Sequence, residues 1–138
     1  MEYRKHQNDR FLGHIISTPF IWLPLIGFII LDILLSIYHY ICFPLYGLEK
    51  VKRSDYIRIF DRAKLQYLSG IEKLGCMYCG YANGLLLYLK EIGSRTEKYW
   101  CGIMHESKPG FKAHKDQAEQ HFARFNDPED ARKKYGPQ

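Results

Sequence analysis

The sequence predicts a mainly α protein: one transmembrane or re-entrant helix, then a small helical domain stapled by a metal site of three cysteines and one histidine. Three observations carry this expectation. Residues 19–48, PFIWLPLIGFIILDILLSIYHYICFPLYGL, form one long apolar run. Beyond it, apolar residues recur every three or four positions, the period of a helix with one buried face. Cys76, Cys79, Cys101 and His105 then offer four metal-type ligands in the spacing C-x2-C-x21-C-x3-H. The implied organisation is a polar segment at 1–18, a membrane anchor at 19–48 and a helical metal-binding domain at 49–138.

The anchor comes first. Between Phe20 and Phe43 the one formal charge is Asp32. A helix over these residues is about 36 Å long at about 1.5 Å per residue, enough to cross a hydrocarbon core of about 30 Å. Trp22 near one end and Tyr38, Tyr40 and Tyr46 near the other suit aromatic rings at headgroup depth. The run is too long for a signal peptide, and no small-residue cleavage site follows it. Arg4, Lys5 and Arg10 precede the run, and a denser basic patch follows: Lys50, Lys52, Arg53, Arg58, Arg62 and Lys64, against Asp55 and Asp61. That excess predicts a cell inner-membrane protein with a cytoplasmic carboxyl-terminal domain. Because both flanks are basic, the alternative is a break at Pro24, with the segment re-entrant or lying on the surface.

Asp32 is costly in a bilayer unless it pairs or protonates. His39 lies two turns along the same face, and Ser36 and Tyr38 add polar groups to one seam. The expected use is a contact with a partner helix, either an integral membrane protein or a second copy. A tolerated charge is the plain alternative.

After the anchor, Ser54 or Asp55 is positioned to cap a helix through Ile57, Phe60, Lys64, Tyr67, Leu68, Ile71 and Leu74, with Gly75 as its stop. A second helix is expected from about Tyr81 to Ile92, ending at Gly93-Ser94. A third carries Glu97, Tyr99, Trp100 and Cys101. A tail helix follows Phe111, Lys115, Ala118, Phe122 and Phe125, and Pro128 opens a final turn with Glu129 and Asp130.

Three thiolates and an imidazole are a standard tetrahedral zinc set, and the soft sulfurs also suit iron. Cys76, Cys79, Cys101 and His105 are therefore the expected ligands of a structural zinc, with iron as the alternative. Buried thiols and a hydrogen-bonded histidine are the plain alternative. Cys42 at the end of the apolar run reads as a packing group. His114 and His121 lack any reinforcing ligand pattern. Asp61, Glu72, Glu91 and Glu97 do not form the Glu-x-x-His pairs of a di-iron bundle.

The segment CMYCGYANGLLLYLKEIGSRTEKYWCGIMH, Cys76 to His105, resembles a signature of small uncharacterised bacterial membrane-anchored proteins, CxxCxYANG…YWCxxxH. The resemblance implies membrane attachment and assigns no residue a role.

The net charge is +5. With no nucleic-acid-binding motif beside the basic patch, anionic lipid headgroups are the expected partner and nucleic acid is not. There is no glycine-rich phosphate loop and no dinucleotide fingerprint. The function expected is a non-enzymatic accessory, assembly or regulatory subunit with a structural zinc. Two alternatives stand: a redox or metalloenzyme component using the same cluster, and a lipid-surface enzyme using Asp61-Arg62 and His105.

Overall fold

The computed structural model describes residues 11–137, and it is mainly helical. The apolar run begins earlier than Pro19. It folds as α1, Phe11–Trp22, and α2, Pro24–Tyr46. Only Leu23 lies between them, and it keeps right-handed helical angles (φ −55°, ψ −43°). Pro24 occupies the first position of α2, where its missing N–H is no loss. The proline therefore marks a joint rather than a break. Arg4, Lys5 and Arg10 lie outside the described residues.

Helix α2 ends at Gly47, whose φ of +69° is the left-handed conformation that favours glycine. The N–H of Leu48 returns to the carbonyl of Phe43 at 2.9 Å, which closes the end and reverses the chain. Residues 48–69 then run back along α2 as an irregular strap with two short 3-10 turns, Arg53–Asp55 and Arg62–Lys64.

Helix α3 follows as one continuous element, Gly70–Trp100, 31 residues long. Its contacts with α1 and α2 climb in step. The Tyr78 hydroxyl bonds the Ile21 carbonyl, Tyr81 bonds Asp32, Tyr88 bonds His39, and Tyr99 stacks on Tyr46 with centroids 4.7 Å apart. Helices α2 and α3 are thus parallel, and the strap between them is antiparallel to both. The core fills the space where the three meet: Phe43, Val51, Leu85, Tyr88, Leu89 and Ile92.

Two expectations need correction here. The helix expected from Ser54 to Leu74 does not form. That segment must instead travel lengthwise, with its backbone pressed on α3. A Cβ on Gly84 would stand 2.6 Å from the Tyr56 carbonyl oxygen and 3.0 Å from the Ile57 Cα; one on Gly80 would stand 3.2 Å from the Arg58 carbonyl oxygen. The Gly80-x3-Gly84 spacing is the groove that lets the strap approach. The second correction joins the helices expected at 81–92 and 95–101, and the last turns before Gly75, into α3. Glycine costs about 1 kcal/mol against alanine in a helix interior, but packing along α2 and the strap outweighs it. The true start signal is the capping box Ser69-x-x-Glu72. The Glu72 carboxylate accepts from the Ser69 N–H at 3.0 Å, and the Ser69 hydroxyl oxygen accepts from the Glu72 N–H at 3.4 Å.

The carboxyl-terminal residues wrap the end of α3. Gly102 O accepts from Ala123 N–H at 2.7 Å and from the Tyr135 hydroxyl at 2.8 Å. Met104 N–H returns to Ala123 O at 2.8 Å, making a single parallel bridge between Ile103 and Ala123. The expected tail helix shrinks to α4, Lys115–Glu119. The final turn forms as expected: α5, Pro128–Tyr135, is capped by the Asp127 side chain and carries Glu129 and Asp130 in its first turn.

Candidate functional site

The polar seam of α2 is the most organised chemistry in the molecule. Asp32, Ser36 and His39 fall on one stripe because residues three and four apart share a helix face. Arg53, delivered by the strap, grips Asp32 with both guanidinium ends; Nη2 to Oδ2 is 2.7 Å. The Tyr81 hydroxyl donates to Oδ2 at 2.8 Å, and Ser36 donates to Oδ1 at 3.3 Å. A fork-to-fork arginine–carboxylate pair adds directional specificity to its charge attraction. The carboxylate holds the Arg53 guanidinium firmly in its charged form. Burial, reinforced by the hydrogen bond to Asp32, pushes the Tyr81 phenol up to about 12.

One turn further, His39 is fully buried. Its Nε2 accepts from the Val51 N–H at 2.9 Å, and its Nδ1 lies 3.2 Å from the Tyr88 hydroxyl. The ring therefore joins all three elements: its own α2, the strap and α3. Tyr38 reaches Thr96 at 2.9 Å. Asp32 was expected to seek a partner helix in another molecule. Its oxygens are instead occupied within the chain.

Sequence reasoning saw the Asp32–His39 stripe but missed Arg53, Tyr81 and Tyr88. The signals were present. A carboxylate in an apolar helix needs a cation, and Arg53 is the nearest arginine beyond the Gly47 reversal. The Gly80-x3-Gly84 pair marks where that segment lies. Beside this clamp opens a cleft of about 620 Å³, lined in part by Arg53, Ile57, Arg58, Phe60 and Tyr81.

The expected metal ligands are placed otherwise. Cys76 and Cys79 sit one turn apart near the start of α3, while Cys101 caps its far end. The helix between Cys79 and Cys101 spans about 33 Å at about 1.5 Å per residue. Zinc holds sulfur at about 2.3 Å, so these three thiols of one chain do not meet on one ion. His105 lies beyond Cys101, exposed, 3.9 Å from Glu97 and edge-on to Phe111. Among the described residues no group of three or more His, Cys, Asp or Glu side chains is arranged to hold a metal. The break expected at Gly93-Ser94 would let the chain turn back between Cys79 and Cys101, whereas those residues form one continuous rod.

Asp61-Arg62 and His105 do not converge either. Arg62 packs beside Gly80 near the start of α3, and His105 follows its end. Cys42 is partly buried on α2, as a packing group should be. His114 and Asp116 line a small cleft of about 200 Å³ with Lys90 and Glu97, where Lys90 and Asp116 form an ion pair at 3.0 Å.

The α1–α2 arm is long and apolar enough to cross a membrane, and none of its most apolar stretch is buried by the protein. No protein-family model, curated protein or solved structure matches this chain.

Proposed function

We propose that the chain is a membrane-anchored accessory subunit, which holds lipid with the arm and presents α3 and the carboxyl-terminal wrap to a membrane partner. The observation that carries this is the contrast across α2. Its inner face sets Asp32, Ser36 and His39 among Phe28, Leu35 and Phe43, and is engaged with α3 and the strap. Its outer arc shows Ile29, Ile30, Ile33, Leu34, Ile37 and Ile41, all exposed. So large an apolar surface is stable when something apolar covers it. An accessory role rather than catalysis is supported by the state of the seam. Asp32, Arg53, Tyr81 and His39 are already hydrogen-bonded to one another or to the backbone, which is how residues that fix a fold are arranged.

The test is flotation of the full-length protein with vesicles containing phosphatidylglycerol, followed by an alkaline wash. Recovery in the floated layer after the wash is expected. Ile33→Glu places a charge on the outer arc and should shift most of the protein off the vesicles. A wild-type chain that stays soluble and monomeric without detergent would overturn the proposal.

A further inference from the structure

Resting on the anchoring reading above, we infer that the arm does not cross the bilayer but lies along one leaflet, with α3 and the strap on its watery side and an anionic lipid surface as its partner. Three observations converge on this. The first is length. From Phe11 to Tyr46 the arm is 36 residues, about 54 Å at about 1.5 Å per residue. Upright, it overshoots a hydrocarbon core of about 30 Å, and the tilt needed to fit exceeds the range of about 40° seen for crossing helices.

The second is what runs beside it. The strap passes back along α2, with Val51 bonded to His39 and Arg53 to Asp32. Its turn at Arg62–Lys64 packs on α3 beside Gly80, level with the first half of α2. If α2 stood across the bilayer, this irregular, charged backbone would stand in hydrocarbon beside it. Irregular backbone is tolerated there only when protein or a water-filled cavity covers it. Lys52 and Asp55 are mostly exposed, so protein does not.

The third is the division of chemistry around α2. The side it gives to α3 and the strap holds Asp32, Ser36 and His39, while the arc it leaves open is mainly aliphatic. With its polar stripe covered by α3 and the strap, α2 leaves aliphatic side chains free to enter the acyl region while neighbouring basic residues meet headgroups. The strap supplies those basic residues: Lys50, Lys52, Arg58, Arg62 and Lys64.

Native lysines provide the test without any substitution. The full-length protein is expressed in a bacterial host, and its membranes are prepared as sealed vesicles of both orientations. A membrane-impermeant amine-acylating reagent is then applied, and modified lysines are mapped by mass spectrometry. Lys64 lies level with the first half of α2, and Lys98 with its last turn. The expected result is that both are acylated in one orientation and neither in the other, with at least a tenfold difference. Acylation of Lys64 from one side and Lys98 from the other means that α2 crosses, which overturns the inference and leaves anchoring intact. Protein absent from the vesicles and paired in solution means that a second copy covers the arc, and then the anchoring reading falls too.

Discussion

The middle and the far end of α3 are held by different kinds of force. Over its middle, α3 meets α2 and the strap through an apolar core, Phe43, Leu85, Tyr88 and Ile92, pinned by one part-buried polar clamp. At its far end, the carboxyl-terminal wrap has little apolar burial beyond Phe122 and Ala123. It is held by hydrogen bonds instead: Gln117 to Glu97 at 2.9 Å, Gln120 to Ser94 at 2.7 Å, Lys134 to the Phe122 carbonyl at 3.0 Å. The contrast teaches where single substitutions should be felt. In the seam, one lost group strands several partners. In the wrap, small contributions add up.

The largest expected effect is therefore Asp32→Ala. It leaves Arg53 and the Tyr81 hydroxyl without their acceptor. Losing one member of a buried pair costs about 3–5 kcal/mol; with Arg53 partly exposed, about 2–3 kcal/mol is expected after allowing for solvent screening. Urea unfolding in detergent micelles measures it, and a loss under about 0.5 kcal/mol, the range of ordinary surface changes, would mean that the clamp does not hold the seam. Next is Gly84→Ala. The added methyl meets the strap backbone, and overpacking of this kind costs about 1–3 kcal/mol. Gly93→Ala, a substitution with open space around it, should stabilise by up to about 1 kcal/mol. The opposite signs within one helix would separate a packing glycine from a merely permissive one.

Ser69→Ala tests the start of α3, and loss of such a cap costs about 1 kcal/mol. The same unfolding assay reads it, with Ser69→Asp expected to restore most of the loss. The wrap should respond to acid. The Arg124 amide, then the Lys134 ammonium, hold the Asp130 carboxyl below the usual carboxylate range. A lowered folded value means that its contribution is complete above the unfolded value and fades as pH falls through the folded one. Amide exchange in α5 should therefore quicken as pH falls below the ordinary aspartate range, once corrected for intrinsic rates, while exchange around Tyr88 stays slow. Asp130→Asn should abolish that acid response.

The sequence made some of this architecture legible and hid the rest, for physical reasons. The helical class and the apolar arm were readable because 3.6-residue periodicity and uninterrupted hydrophobicity are local properties. The final turn opened by Pro128 was readable for the same reason. The continuity of α3 was not. Gly75, Asn83-Gly84 and Gly93-Ser94 are breakers by propensity, and only contact with α2 and the strap makes them interior residues. The strap was misread because Ile57, Phe60, Lys64 and Leu68 carry helical spacing while Gly80 and Gly84 require an extended neighbour. The four-ligand reading joined Cys76, Cys79, Cys101 and His105 by chemistry alone. Spacing constrains a metal site only when the chain between the ligands is free to turn back, and here it is a helix.

The distance between Cys79 and Cys101 decides most directly between a rod and a staple. With Cys42 and Cys76 replaced by alanine, spin labels on the two remaining thiols report it by pulsed electron resonance in lipid. A continuous α3 gives a narrow distribution near 33 Å, set by about 1.5 Å of rise per residue and broadened by the label arms. A peak below about 15 Å, the closeness that a shared ion with bonds of about 2.3 Å would impose, would contradict the single long helix and with it the parallel seam against α2.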